Sequence, residues 1–174
     1  MTNQKKLTAK DSIRYITKAG LIAALYVVLT WLSALLGLDK NAIQCRFSEA
    51  LCVLPAFLGS CAVPGLTLGC FLANLMTGSV ALDIIFGSLA TLLGALGAYF
   101  LRKVAYTRAS WLIPLPTILA NTLIVPFVIR FAYGTEDAMW FLFLTVGAGE
   151  LIAAGVLGFL LTKVLARYRR QLSH

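Results

Sequence analysis

The chain has 174 residues, of which 60% are hydrophobic and 13% charged, with a mean hydropathy of +0.87, whereas a soluble domain carries about a quarter charged residues. That composition excludes a soluble domain and predicts an all-α integral membrane protein. The net charge of +8 does not signal nucleic acid, because Lys and Arg gather at the two ends and in one central turn without a basic face interleaved with aromatics. No nucleic-acid partner is expected, and the bilayer itself is the first partner.

Catalytic parts are missing as well. The only histidine is His174, which removes Ser-His-Asp chemistry and histidine-ligated zinc. Cys45, Cys52, Cys61 and Cys70 show no C-x-x-C spacing and read as small hydrophobes in apolar surroundings. There is no G-x-x-x-x-G-K-[ST] loop for ATP phosphates. No catalytic residue, metal or cofactor is expected, and any uphill movement of a solute draws its energy from elsewhere.

A basic segment, residues 1–14, opens the chain with Lys5, Lys6, Lys10 and Arg14, and Lys18 follows. Residues 19–38 are uncharged, about one bilayer span, with no cleavage site leading into a polar domain, so they read as an anchor and not a removable signal. Ala19 and Ala23, with Gly20 and Ala24 one step round, form two overlapping small-xxx-small pairs. Ordinary helix packing and a docking face for another membrane protein both remain open there. A loop over residues 37–47 comes next.

Two opposite charges, Arg46 and Glu49, then enter a long apolar run. With Ser48 as N-cap, Arg46 lies outside the helix and Glu49 in its first turn, where the positive helix end favours an anion. The uncharged residues 50–82 would make one helix about 50 Å long, well beyond a core of about 30 Å, so the run must fold back. Pro64-Gly65 is the predicted break, giving short helices over 48–61 and 65–77, with Gly65 and Gly69 as a GxxxG pair. Longer helices are expected over 83–101, 110–131 and 138–166, before a basic tail, 167–174.

Six spans keep the N-terminal cluster, the Arg102, Lys103, Arg108 turn and the Lys163, Arg167, Arg169, Arg170 tail on one side, which five spans do not. The predicted architecture is therefore one domain, residues 1–174, a six-transmembrane-helix bundle with cytoplasmic N- and C-termini. It leaves Lys40, Arg46 and Arg130 outside and collects Asp39, Glu49, Asp83, Glu136 and Asp137 at outer helix ends. Asn74 falls near the outer end of the third helix and Asn121 nearer the middle of the fifth. No internal repeat of the inverted-transporter kind is visible.

Glu150, inside the last span, is the most informative residue, because a carboxylate near the midplane costs about 2.5–3.5 kcal/mol unless compensated. Gly147, Gly149 and Gly155 leave room beside it. A solute-facing carboxylate and a protonated Glu hydrogen-bonded inside the bundle both remain open. Arg46 and Glu49 are either ligand contacts or an interfacial ion pair, and Asp83 either a helix cap or a ligand contact. Asn74 and Asn121 offer donor and acceptor together, which suits the amide edge of a heterocycle or an interhelical hydrogen bond. Trp140, Tyr133 and Trp31 suit the interfacial aromatic belt, packing, or stacking on a flat ring.

The run Ile43-Gln44-Cys45-Arg46-Phe47-Ser48-Glu49-Ala50-Leu51-Cys52-Val53-Leu54-Pro55, with Pro64-Gly65-Leu66, Gly69-Cys70-Phe71-Leu72-Ala73-Asn74-Leu75 and Asp83-Ile84-Ile85-Phe86-Gly87-Ser88-Leu89-Ala90-Thr91-Leu92, resembles the QueT-type queuosine-precursor transporters. These are substrate-binding S components of energy-coupling factor (ECF) transporters, and the resemblance covers almost the whole chain in length, helix count and motif order. It implies a six-helix bundle in the bacterial cell membrane that takes its solute from outside and works with an ECF T component and two cytoplasmic ATPase subunits. It further implies an AxxxA docking face on the first helix, which Ala19 and Ala23 match, and a small heterocyclic substrate, a 7-deazaguanine precursor of queuosine or a related queuine-like base. Glu150 or Glu49 would then accept the paired N–H donors of a guanine-like edge, with Asn74, Asn121 or Arg46 on its carbonyl. Asp83 or the second Glu is available for an aminomethyl cation. Cys45 and Cys52 stand where less reactive residues are expected. Two other classes remain: a stand-alone proton-coupled carrier using Glu150, and a membrane scaffold whose buried acids only join helices.

Overall fold

The computed structural model describes residues 9–38 and 45–168, and these form helices and turns only. Lys5, Lys6, Asp39, Lys40, Ile43, Gln44, Arg169, Arg170 and His174, all used in the sequence reading, lie outside the described residues. Six helical stretches follow one another. The first is Ala9–Leu35 (α1), which takes in Lys10 and Arg14 of the expected basic segment. Next comes Phe47–Leu58, a 3-10 helix over Phe47–Val53 that ends in the α-helical turn Pro55–Leu58 (α2). Then come Ala62–Met76 (α3), Ala81–Phe100 (α4) and Leu115–Ala132 (α5). The last stretch joins Met139–Glu150 (α6), a π-helical segment Leu151–Leu157, and Gly158–Arg167 (α7).

Four of the stretches, Ala9–Leu35, Ala81–Val104, Arg108–Ala132 and Met139–Arg167, are long and apolar enough to cross a membrane. The other two are shorter: the 15 residues of α3 reach about 22 Å. The stretch Phe47–Leu58 is short because it is enclosed. Ser48 through Phe57 are buried, packed by α1, α4, α7 and the π-helical segment. Irregular backbone is tolerated at membrane depth when protein, not lipid, surrounds it, which is why a 3-10 helix stands at the centre of the bundle.

That central helix is capped from outside. Ser48 is not its N-cap; it lies inside the helix, where its Oγ accepts from Thr30 Oγ1 of α1 at 2.8 Å. The Phe47 N–H, one of the orphan donors of a helix start, donates to Ser33 Oγ at 2.9 Å. The chain reversal also differs from expectation. It occurs at Gly59, whose φ of +83° favours glycine, five positions before Pro64. Pro64 itself sits in the first turn of α3, where its missing N–H breaks no hydrogen bond.

Small residues close two seams. A Cβ on Gly65 would lie 2.7 Å from Ala19 O, and one on Gly69 would lie 2.7 Å from Tyr26 Cβ and 3.0 Å from Ala23 Cα, so α3 runs parallel to α1 with backbones nearly touching. Without a hydrophobic force between helices in lipid, such close packing is what holds them. Ala19 and Ala23, the expected partner-docking pair, are thus half-buried against α3, and the small residues next to them, Gly20 and Ala24, are the exposed ones. At the second seam, a Cβ on Gly94 would lie 2.6 Å from Thr117 Oγ1, and one on Gly97 would collide with Pro116, which joins α4 to α5.

Gly97→Ala is expected to lower stability by about 1–3 kcal/mol through overpacking, read as a lower melting temperature of the full chain in detergent. Gly20→Ala, whose Cβ meets nothing within 4 Å, is expected not to lower it.

Candidate ligand-binding site

The central helix carries Glu49 into the bundle, where it is 3% exposed. A carboxylate removed from water and lipid headgroups must be matched by hydrogen-bond donors, and three elements supply them. Tyr26 of α1 donates its hydroxyl to Glu49 Oε1. Asn121 Nδ2 of α5 donates to Glu49 Oε2 at 3.1 Å, and the Cys52 thiol donates to the same oxygen at 3.4 Å. The Asn121 Nδ2 group also donates to Glu150 Oε1 at 3.0 Å. One amide therefore bridges two carboxylates from different spans. Glu150 is 9% exposed, and its second oxygen, Oε2, is buried and accepts no hydrogen bond from any described residue.

A second cluster lies toward the end of α3 and the start of α4. Arg46 Nη1 donates to Asn74 Oδ1 at 3.0 Å, and Arg46 Nη2 stands 3.7 Å from Asp83 Oδ2. Tyr133, just past the end of α5, donates its hydroxyl to the same Asp83 oxygen at 2.9 Å. Burial, and then the neighbouring Asp83 carboxylate, push the Tyr133 phenol above the ordinary tyrosine value. Asn74 is fully buried and returns a hydrogen bond to the Asp83 carbonyl at 3.3 Å, which fixes the face it turns to Arg46. Gly87 keeps this wall low, since a Cβ there would lie 3.0 Å from Asn74 Nδ2.

Both clusters face one cavity, lined by Arg46, Glu49, Asp83, Asn121 and Glu150, with Cys70, Gly87 and Thr91 on one wall and Val125 and Val146 on the other. Three carboxylates and one guanidinium thus surround a small space with apolar sides. Its volume is about 30 Å³, room for a water or two, whereas pockets that enclose a flat bicycle run to about 300 Å³ or more. A heterocycle enters only when the surrounding helices move outward. The two spans that carry Asn121 and Glu150 are irregular beside the cavity: α5 contains Pro126, and the π-helical segment begins directly after Glu150. Proline removes an intrahelical bond, and π-helical turns often mark functional positions.

The structure brings together Glu150, Glu49, Asp83, Arg46 and Asn121 around the cavity, with Asn74 behind Arg46. Trp140 does not join them. It is 66% exposed, and its ring packs edge-to-face on Phe141; Trp31 is likewise on the surface. Asp83 is not the cap of α4, whose N-cap is Val80; its carboxylate is turned to Arg46 and Tyr133. Sequence reasoning missed Tyr26, Cys52 and Cys70 as site residues. The signal for Tyr26 was present: Ala19, Ala23, Tyr26, Thr30 and Ser33 recur at steps of three and four, a small and polar stripe on one helix face.

Residues 16–167 match the family model described as QueT transporter. Comparison with curated proteins and with solved structures gives no match.

Tyr26→Phe leaves Glu49 Oε1 without that donor inside the bundle and is expected to cost about 1–3 kcal/mol, measured by thermal unfolding in detergent. Tyr15→Phe removes a hydroxyl bonded to Ser60 O at the exposed end of α1 and is expected to shift the transition less.

Proposed function

The chain belongs to the QueT transporter family, a multi-pass membrane transporter and not an enzyme, and we propose that it captures a queuosine precursor of the 7-deazaguanine type as the S component of an ECF importer. The observation that carries this reading is the pair Glu49 and Glu150, joined by Asn121, with Glu150 Oε2 buried and without a donor among the described residues. A guanine-like edge presents two adjacent N–H groups and a carbonyl. On opening of the cavity, the N–H donors replace Asn121 on the two carboxylates, and the freed amide or Arg46 meets the carbonyl. Asp83 is the acid nearest an aminomethyl substituent in this arrangement. The desolvated charges reject a solute that lacks those donors, because both carboxylates would stay buried with fewer bonds than before.

The energising T component and two cytoplasmic ATPase subunits belong to the same proposal, supported by the absent ATP-phosphate loop in the sequence. We place both termini in the cytoplasm on six spans. In support, Lys10, Arg14 and Lys18 in the first half of α1, with Arg102, Lys103, Arg108, Lys163 and Arg167 at or near other helix ends, fall on one side of the bundle in the six-span order, whereas Arg46 and Arg130 fall on the other. With Ala19 and Ala23 packed on α3, the small-residue face of α1 left for a T component is Gly20 and Ala24.

Glu150→Gln is expected to weaken binding of a 7-deazaguanine base about 10- to 100-fold, the worth of a charge-assisted hydrogen bond, in calorimetry on purified full-length protein, while Trp140→Ala binds normally. Normal affinity in Glu150→Gln would remove that carboxylate from the site. Uptake that survives loss of the host's T component yet collapses with a protonophore would instead make the chain a proton-coupled carrier.

A further inference from the structure

At the opposite end of the bundle from Arg46 and Asp83, α1, the turn between α2 and α3, and the end of α4 enclose an open recess of about 390 Å³. Arg14 and Lys18 enter it from α1 and Arg102 from the end of α4, with Asp11 as the single acid among its lining residues. Three cations against one acid make a space that favours an anion. The walls are built. Tyr15 of α1 donates its hydroxyl to Ser60 O at 3.2 Å, tying α1 to the turn, and the Arg102 guanidinium lies 4.5 Å from the centre of the Tyr99 ring, a cation–π contact that holds it in place.

The level of the recess narrows the choice of anion. The uncharged run of α1 begins directly after Lys18, and the uncharged run that passes through α4 ends at Leu101, just past the helix and directly before Arg102. Two chain segments thus change from apolar to charged at the same depth, where hydrocarbon meets headgroups. On the hydrocarbon side of the cations, Leu21 and Leu25 of α1, on the same helix face as Arg14 and Lys18, and Phe100 of α4 are exposed, so an anion seated in the recess has apolar surface alongside it for acyl chains. A free phosphate uses only the cations, whereas a phospholipid uses both.

We propose that this recess, formed by Arg14, Lys18 and Arg102 beside exposed apolar side chains, is a binding site for the phosphate of an anionic phospholipid headgroup. The site is separate from the solute cavity, shares no lining residue with it, and gives the chain a lipid that fixes α1 against α4 at this membrane face.

The test is native mass spectrometry of the full-length protein after incubation in mixed micelles of phosphatidylglycerol and phosphatidylcholine. The wild type is expected to retain phosphatidylglycerol preferentially. Each of Arg14→Gln, Lys18→Gln and Arg102→Gln is expected to reduce that retention about fivefold, and the three together about a hundredfold; the single variants keep the test decisive if the triple variant fails to fold. Lys103→Gln with Arg108→Gln, cations of the same end outside the recess, is expected to leave retention unchanged. Equal retention of the two lipids, or an equal loss in the Lys103 and Arg108 variant, would overturn the site. Displacement of the lipid by inorganic phosphate at matched concentration would make it a free-anion site. An acidic segment of a partner protein as the true occupant would appear as lipid retention indifferent to the Arg14, Lys18 and Arg102 substitutions, and would also overturn the proposal.

Discussion

Glu49 is buried in the middle of the bundle, 3% exposed, and that single carboxylate sets conditions on four spans at once. It needs donors, and they come from Tyr26 on α1, Cys52 one turn further along its own helix, and Asn121 on α5. Asn121 in turn binds Glu150, so the position of the last span is tied to the same group. The central helix has to be short and enclosed for this to happen, because a longer one would carry its irregular backbone into lipid. Its first N–H and its Ser48 hydroxyl are satisfied by Ser33 and Thr30 of α1. The polar residues of α1 therefore serve the first turn of the central helix.

The remaining structure divides into closed seams and irregular stretches. Gly65 and Gly69 bring α3 onto α1, and Gly94 and Gly97 bring α4 onto α5. At these points no methyl group fits, and helices packed so closely transmit displacement instead of absorbing it. Pro126 and the π-helical segment lie beside the cavity instead, on the two spans that present Asn121 and Glu150. A cavity of about 30 Å³ describes a bundle whose polar groups satisfy one another until a better set of donors arrives. The hydrogen bond from Tyr133 to Asp83 and the ion pair of Arg46 with Asp83 join the end of α5 and the start of the central helix to α4 beside the same cavity, so moving α5 away from α4 there stretches the first of them.

Much of this was legible in the sequence, for reasons that can be named. Arg46, Glu49, Asp83, Asn121 and Glu150 stood out because ionisable and amide groups in apolar runs demand partners, and the partners they found were largely one another. The six helical stretches followed from apolar run lengths and from the placement of Lys and Arg. The turn was misplaced because proline signals a break only when its N–H is needed; in the first turn of a helix it is not, and Gly59 with its positive φ made the reversal. The sequence does not choose between belt and ligand for Trp140, because an aromatic at the end of a span has the same sequence signature whether it faces a ligand or lipid. Tyr26 was overlooked because the polar stripe it shares with Thr30 and Ser33 reads as ordinary helix packing until the buried acid opposite it is known.

The most direct measurement is a structure of the full-length protein with a 7-deazaguanine base bound. The expected result is a base whose N–H edge lies within hydrogen-bond distance of Glu49 and Glu150, in a cavity widened by displacement of α5 and α6, with Asn121 no longer joining the two carboxylates. A base bound elsewhere while Asn121 still bridges Glu49 and Glu150 would contradict the account.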